Sequence, residues 1–223
     1  MMENIYEFFF TLFSPLCHQI TERSFQSFDG HQFFVCARDT GTYLGFLFSF
    51  TLYFYNKDKF KAPISFILVL FFLHLLLFGL DGVTSYAGLR ETTNFIRYFT
   101  GFYLGFFLGV ILQYVKIFIT KPENIAILDI KKSLLITFFL EIYCTFLFFI
   151  TLFLIKYLLY LLAFAIVFYV YQIVNVILSL FFSNYNKKNY YYLALAIIFI
   201  VFFSSMLLAG TFKINMVEKL YHK

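Results

Sequence analysis

Tryptophan is absent from this 223-residue chain, proline and cysteine number three each, and only 13% of positions carry a charge. Soluble domains carry about 25% charged residues, so the shortage of charge excludes that class. Without Trp, the amphipathic rings that mark a membrane–water boundary must come from Tyr; Tyr53, Tyr55, Tyr185 and Tyr190–Tyr192 stand where such a belt belongs. No aromatic-interleaved basic patch lies outside the apolar segments, which argues against a nucleic-acid partner. Serine-hydrolase elbow, P-loop, dinucleotide fingerprint and HExxH pair are all missing, and with them the chemistries those motifs carry. There is also no internal repeat and no pair of Gly- or Pro-broken spans of the kind transporters often show.

What is present is apolar: 62% of residues are hydrophobic. A membrane crossing needs about 20 apolar residues, and candidate spans lie near 40–56, 62–80, 97–119, 132–154, 158–182 and 190–211. The run 133–183 is too long for one crossing, so a tight turn is expected near Lys156, the only charge in its second half. The fold expected is all-α, an integral membrane helical bundle of about six transmembrane helices forming one transmembrane domain over 1–223. Residues 15–110 carry the motifs and 132–211 are generic hydrophobic helix. Residues 5–16 are apolar but too short to cross, and no basic segment precedes them, which fits neither a signal peptide nor a span. They read as an interfacial or re-entrant helix ending at Pro15.

The net charge is +5. Lysines gather at the loops 57–61, 116–132 and 184–189, which six spans put on one face. The positive-inside rule makes that face cytoplasmic and leaves the motif face extracytoplasmic, in a multi-pass protein of the cell membrane. Two spans separate the two polar motif blocks, so both lie on one side.

The first block reads CHQITERSF and then GHQFFVCARDTG, over 17–25 and 30–41. Cys17, His18, Cys36 and Asp39 offer thiolate, imidazole and carboxylate, a plausible four-ligand set for zinc, with His31 nearby. A Cys17–Cys36 disulfide in an oxidising compartment, or two ordinary thiols in an ordered loop, are the alternatives. Cys144 lies mid-span and reads as a packing residue.

The second block reads LDGVTSYAGLRETTNFIRYFTG, over 80–101. Arg90, Asn94, Arg97, Gly101, Gly105 and Gly109 recur at three- and four-residue steps and so share one helix face. Ala37, Gly41, Gly45 and Ser49 make a similar small-residue stripe below Arg38. Small residues let helices approach closely in lipid, so the first and third spans are expected to cross there and gather Arg38, Arg90 and Arg97. Gathered like charges at a low-dielectric rim need an anionic partner. Asp81 and Glu91 can neutralise part of the cluster within an internal salt-bridge network; a phosphate, pyrophosphate or carboxylate headgroup would serve as well. The Asp-Gly pair is not that of the phospholipid-synthesising phosphotransferases, whose further aspartates are missing here.

Together the two blocks resemble the signature of an uncharacterised membrane family, a domain of unknown function whose usual text is CHQxPxRSF…CARCTGIYLG followed by DGxT…RxSxNxxRxxTG. The resemblance covers about residues 15–110 and implies a small polytopic membrane protein with no assigned activity. This chain departs from the family text at Thr21, Phe34 and Asp39. At the last of these the family has a second Cys of a C-x-x-C pair, so Asp39 keeps a possible metal ligand while removing the vicinal dithiol a redox mechanism would use.

Inside the bilayer, Glu141 falls roughly 14 Å deep at 1.5 Å per residue, with His74 at comparable depth as its expected partner. Gln172 and Asn175 are mid-span. Buried ionisable groups in lipid suggest function by default, as a proton relay here, or a neutral Glu141 hydrogen-bonded to its neighbours. Three functional classes follow. A membrane-embedded enzyme would hold an anionic lipid headgroup on Arg38, Arg90, Asn94 and Arg97, with His18, Asp81 and Glu141 as catalytic candidates and zinc as the possible cofactor. A small transporter would use Glu141 and His74. An accessory subunit would use the motifs only to lock loops onto the bundle. Membrane lipids are the partners common to all three.

Overall fold

The computed structural model describes residues 2–14, 16, 17, 19–26, 32–55, 64–120 and 155–181, with single positions between 139 and 200. Its elements are helical: α1 (Met2–Phe13), a 3-10 turn (Thr21–Arg23), α2 (Ala37–Tyr55), α3 (Ile64–Tyr86), α4 (Asn94–Thr120) and α5 (Ile155–Phe181). An isolated antiparallel bridge between Gln26 and Gln32 is the extended pairing among the described residues.

Three helices among these residues are long and apolar enough to cross a membrane: Ser65–Tyr86, Asn94–Lys116 and Leu159–Leu180. α2, which the sequence also reads as a span, is not among them. It opens on Arg38 and Asp39 and carries Thr, Gly and Ser along one side, which lowers its apolar character. α5 begins at Ile155 and takes Lys156, where a turn was expected, into its first turn; residues 147–154 ahead of it lie outside the described residues. Of the expected spans at 132–154 and 190–211 only scattered positions are described, and Glu141 and Cys144 are not among them.

α2 and α4 form the core. A Cβ placed on Gly41 or Gly45 would collide with backbone of Tyr98 and Phe102, and one on Gly101 or Gly105 with the carbonyls of Arg38 and Thr42. The two helices therefore touch backbone to backbone, which only glycine on both sides permits. Farther along, Gly109 meets Ser49, and Gln113 donates to the Ser49 hydroxyl at 3.4 Å. α5 packs on this pair through Leu162, Ala165 and Ile166, with Tyr169 edge-on to Phe46 at 4.7 Å. α3 packs on α4 and leaves Val69, Phe72, Leu76 and Val83 exposed, as a lipid-facing helix would.

α1 has 12 residues, about 18 Å at 1.5 Å per residue, too short to cross. It packs against the loops ahead of α2, its fully buried Phe13 stacked on Phe34 at 4.9 Å. Its Phe9 meets Tyr160 of α5 edge-on at 5.9 Å.

Candidate functional site at the mouth of the bundle

The start of α2, the end of α3 and the start of α4 meet at one end of the bundle. The two motif blocks lie there together, joined by side chains. Asp81, 3% exposed, takes Arg38 Nη2 on Oδ2 and Arg90 Nη2 on Oδ1, the latter at 2.6 Å. Arg38 is 12% exposed and Arg90 50%, so one carboxylate binds a buried and a surface guanidinium. Glu91 is exposed and takes part in no ion pair among the described residues.

Arg97 is built differently. It is 9% exposed, and its partners are neutral: Asn94 Oδ1 at 2.9 Å, Ser85 Oγ at 3.3 Å and Thr92 Oγ1 at 3.5 Å. No carboxylate pairs with it among the described residues. Asn94, having accepted from Arg97, donates through Nδ2 to the Ser24 carbonyl at 3.1 Å, which ties the first block to α4. Arg38 also keeps its Nε buried without a hydrogen-bond partner among the described residues. A buried guanidinium N–H left unpaired is costly, so Arg38 keeps one donor unfilled and Arg97 carries a charge without an ion-pair partner among the described residues.

These groups line a cleft of about 230 Å³ formed by Cys17, Gln19, Arg23, Cys36, Arg38, Asp39 and Arg97, with Leu16, Ile20, Phe78 and Tyr86 as its apolar wall. Three guanidiniums face one carboxylate, Asp39, so the lining is net positive. Aromatic faces hold two of the cations in place: Arg23 lies 4.0 Å from the Tyr86 ring centroid and Arg38 5.2 Å from that of Phe78.

The thiols sit at the cleft wall. Cys36 precedes α2, its carbonyl accepting the first helical bond from Thr40 N at 2.9 Å. Its amide donates to Cys17 Sγ at 3.1 Å and its Sγ to Asp39 Oδ2 at 3.1 Å. Both cysteines are free, so the disulfide alternative is not formed here. The donor atoms of Cys17, Cys36 and Asp39 lie within 4.8 Å of one another. Hydrogen bonding between the two thiols pushes Cys36 up, with burial and the Asp39 charge adding to the rise. The same contact pulls Cys17 down, because its thiolate is the accepting partner.

The loop that roofs the cleft is held by two glutamines. Gln19 has φ +51°, in the left-handed region, and its Nε2 donates to the carbonyls of Phe10 at 2.6 Å and Phe34 at 3.0 Å. Gln32 Nε2 donates to the Gln19 carbonyl at 2.6 Å and to Ser24 Oγ at 3.2 Å, while its Oε1 accepts from Thr21 at 2.9 Å. Gln19, Gln32, Arg23 and Tyr86 belong to the site although the sequence alone does not single them out for it. The repeated His-Gln pair at 18–19 and 31–32 was the available signal for the glutamines. His18 and His31 themselves lie outside the described residues.

His74 stands away from the mouth, on α3. Its Nδ1 is 2.7 Å from the Leu70 carbonyl, and its ring packs on Tyr103 and Phe107 at 4.8 and 4.9 Å. Gln172 and Asn175 are buried on α5.

A family described as "predicted membrane protein", a domain of unknown function (DUF2085), matches residues 17–111. An uncharacterised protein of Methanocaldococcus jannaschii is 40% identical over 95 residues, 42% of this chain and 58% of that protein. An uncharacterised protein of Methanothermobacter thermautotrophicus is 39% identical over 107 residues, 47% of this chain and 90% of that protein. No solved structure matches. The matched family segment contains the cleft's two cysteines, its three arginines and Asp81.

Proposed function

The chain belongs to this DUF2085 family of membrane proteins, and from that premise we propose that it is a membrane-embedded enzyme whose mouth cleft binds an anionic, phosphate-bearing lipid headgroup. The observation that carries the reading is Arg97, a nearly buried guanidinium whose partners among the described residues are neutral, lining a cleft beside Arg23 and Arg38. Guanidinium geometry suits phosphate oxygens bidentately. A cleft of about 230 Å³ is below the roughly 300–1,000 Å³ of a drug-sized ligand site, so it takes a headgroup and not a whole lipid. Its apolar wall and the exposed apolar face of α3 leave the acyl chains a place in the surrounding bilayer.

In this reading Arg23, Arg38 and Arg97 hold the headgroup, Asn94 orients Arg97, and Arg90 serves with Asp81 to fix Arg38. Negative charge developing on a phosphoryl oxygen would be stabilised by donors already in place. The lysine-rich loops favour a cell-membrane protein with this mouth on the extracytoplasmic side.

Native mass spectrometry of the detergent-purified protein with added lipid tests the reading. Phosphatidic acid should be retained at least about tenfold better than phosphatidylcholine, which corresponds to about 1.4 kcal/mol. Arg97→Ala should abolish that preference, and Glu91→Gln, at an exposed residue outside the cleft, should keep it. Equal binding to both lipids, or an unchanged preference in Arg97→Ala, sinks the proposal. Competition by inorganic phosphate at equal concentration would assign the site to the free anion instead.

The transporter reading has less support. His74 packs tilted against the α4 rings of Tyr103 and Phe107, and Glu141, its expected partner, lies outside the described residues.

A further inference from the structure

The cleft holds a second kind of chemistry that anion binding does not use. Cys17, Cys36 and Asp39 all line it, and their donor atoms lie within 4.8 Å of one another. Tetrahedral zinc with bonds near 2.3 Å separates its ligand atoms by about 3.8 Å. The Cys36 Sγ–Asp39 Oδ2 distance is 3.1 Å, so a modest spreading on that side, in a set whose donor atoms all lie within 4.8 Å, brings it to metal geometry. Asp39 and Cys36 sit three residues apart across the first turn of α2, and Cys17 arrives from the loop behind α1, so two rigid anchors hold the triad.

Two thiolates with a carboxylate select zinc over the hard cations, which prefer all-oxygen sites. Charge points the same way. Three anionic ligands and a dication sum to −1, and Arg23, Arg38 and Arg97 line the same cleft to balance it. The free side of the triad is the cleft itself, because all three residues contribute to its wall.

We propose that Cys17, Cys36 and Asp39 bind one zinc ion whose remaining coordination position opens into the arginine-lined cleft. Among the described residues the set supplies three protein ligands, the number that leaves one position open in catalytic rather than structural zinc. The metal would polarise an oxygen atom bound beside it. Metal binding by the triad does not depend on the lipid-headgroup reading and can be measured without it.

The test is metal analysis of the detergent-purified full chain, zinc-loaded and desalted, beside cobalt substitution followed by absorption. The expected result is about one zinc per chain, lost at least tenfold in Cys17→Ser and Cys36→Ser and retained in Cys144→Ser. Cobalt should give a thiolate charge-transfer band in the wild type, a readout that does not depend on any variant folding. Addition of inorganic phosphate should shift the cobalt d–d bands, since the open position accepts an oxygen ligand. Less than about a tenth of a zinc per chain, thiols found oxidised to each other, or zinc kept in Cys36→Ser would overturn the site. Loss of zinc in His18→Ala would overturn the open position. If zinc binds but anionic lipid does not, the metal site stands and the headgroup reading fails.

Discussion

Asp81 grips Arg38 from an adjacent helix, a contact between residues 43 positions apart that locks the end of α3 to the start of α2. The carboxylate is 3% exposed, so its charge exists in the interior only because two guanidiniums meet it there. Breaking a buried pair by removing one partner costs far more than breaking a surface one, since the remaining charge is stranded.

Asp81→Asn should therefore destabilise the protein by about 3–5 kcal/mol, while Arg90→Ala, with its side chain 50% exposed, should cost at most about 1 kcal/mol. Thermal unfolding in detergent measures both. Similar losses in the two variants would contradict the asymmetry.

The glycine crossing predicts a matched contrast. Gly45→Ala and Gly105→Ala place a Cβ into facing backbone, and overpacking of this kind costs about 1–3 kcal/mol. Gly79 in α3 has no atom within 4 Å of a built Cβ, so Gly79→Ala should be neutral or stabilise by up to about 1 kcal/mol through helix propensity. Melting temperatures of the three variants decide the matter.

Gln19→Ala removes two donations, to Phe10 and Phe34, leaving two partly buried carbonyls without that partner at a cost of about 1–3 kcal/mol. Hydrogen exchange should quicken across 16–26 with the α2–α4 core unchanged. Uniform quickening would mean that the loop and the core unfold as one unit.

Thiol chemistry supplies a pH prediction. After chelation of any metal, Cys17, with its pKa lowered by the Cys36 contact, should alkylate faster than Cys36, whose pKa is raised. The thiolate is the nucleophile, so the Cys17 rate climbs and levels off as pH rises toward 9, while Cys36 stays slow. Peptide-level mass spectrometry with time separates the two sites. Added zinc should protect both.

Much of this was legible from residue order. Low charge and long apolar runs establish a helical membrane protein, because hydrocarbon forbids unpaired backbone. The three- and four-residue spacing of Gly101, Gly105 and Gly109, and of Gly41 and Gly45, marks two small-residue faces from helix periodicity alone. Periodicity is a rule within one helix, however, and says nothing about which helix lies opposite. That these two faces meet backbone to backbone is a tertiary fact. So is the choice of Asp81 rather than Glu91 as the arginines' carboxylate: both are near Arg90 in sequence, but Asp81 is buried on α3 while Glu91 is exposed in the loop that follows it. Arg23 and Gln19 enter the cleft because a loop with one left-handed residue folds back over it, and no local spacing encodes that return. The sequence alone determined the membrane class, the helix faces and the residue types of the site. Tertiary packing decided which charges are satisfied and which are left facing the cleft, because that depends on distances between segments far apart along the chain.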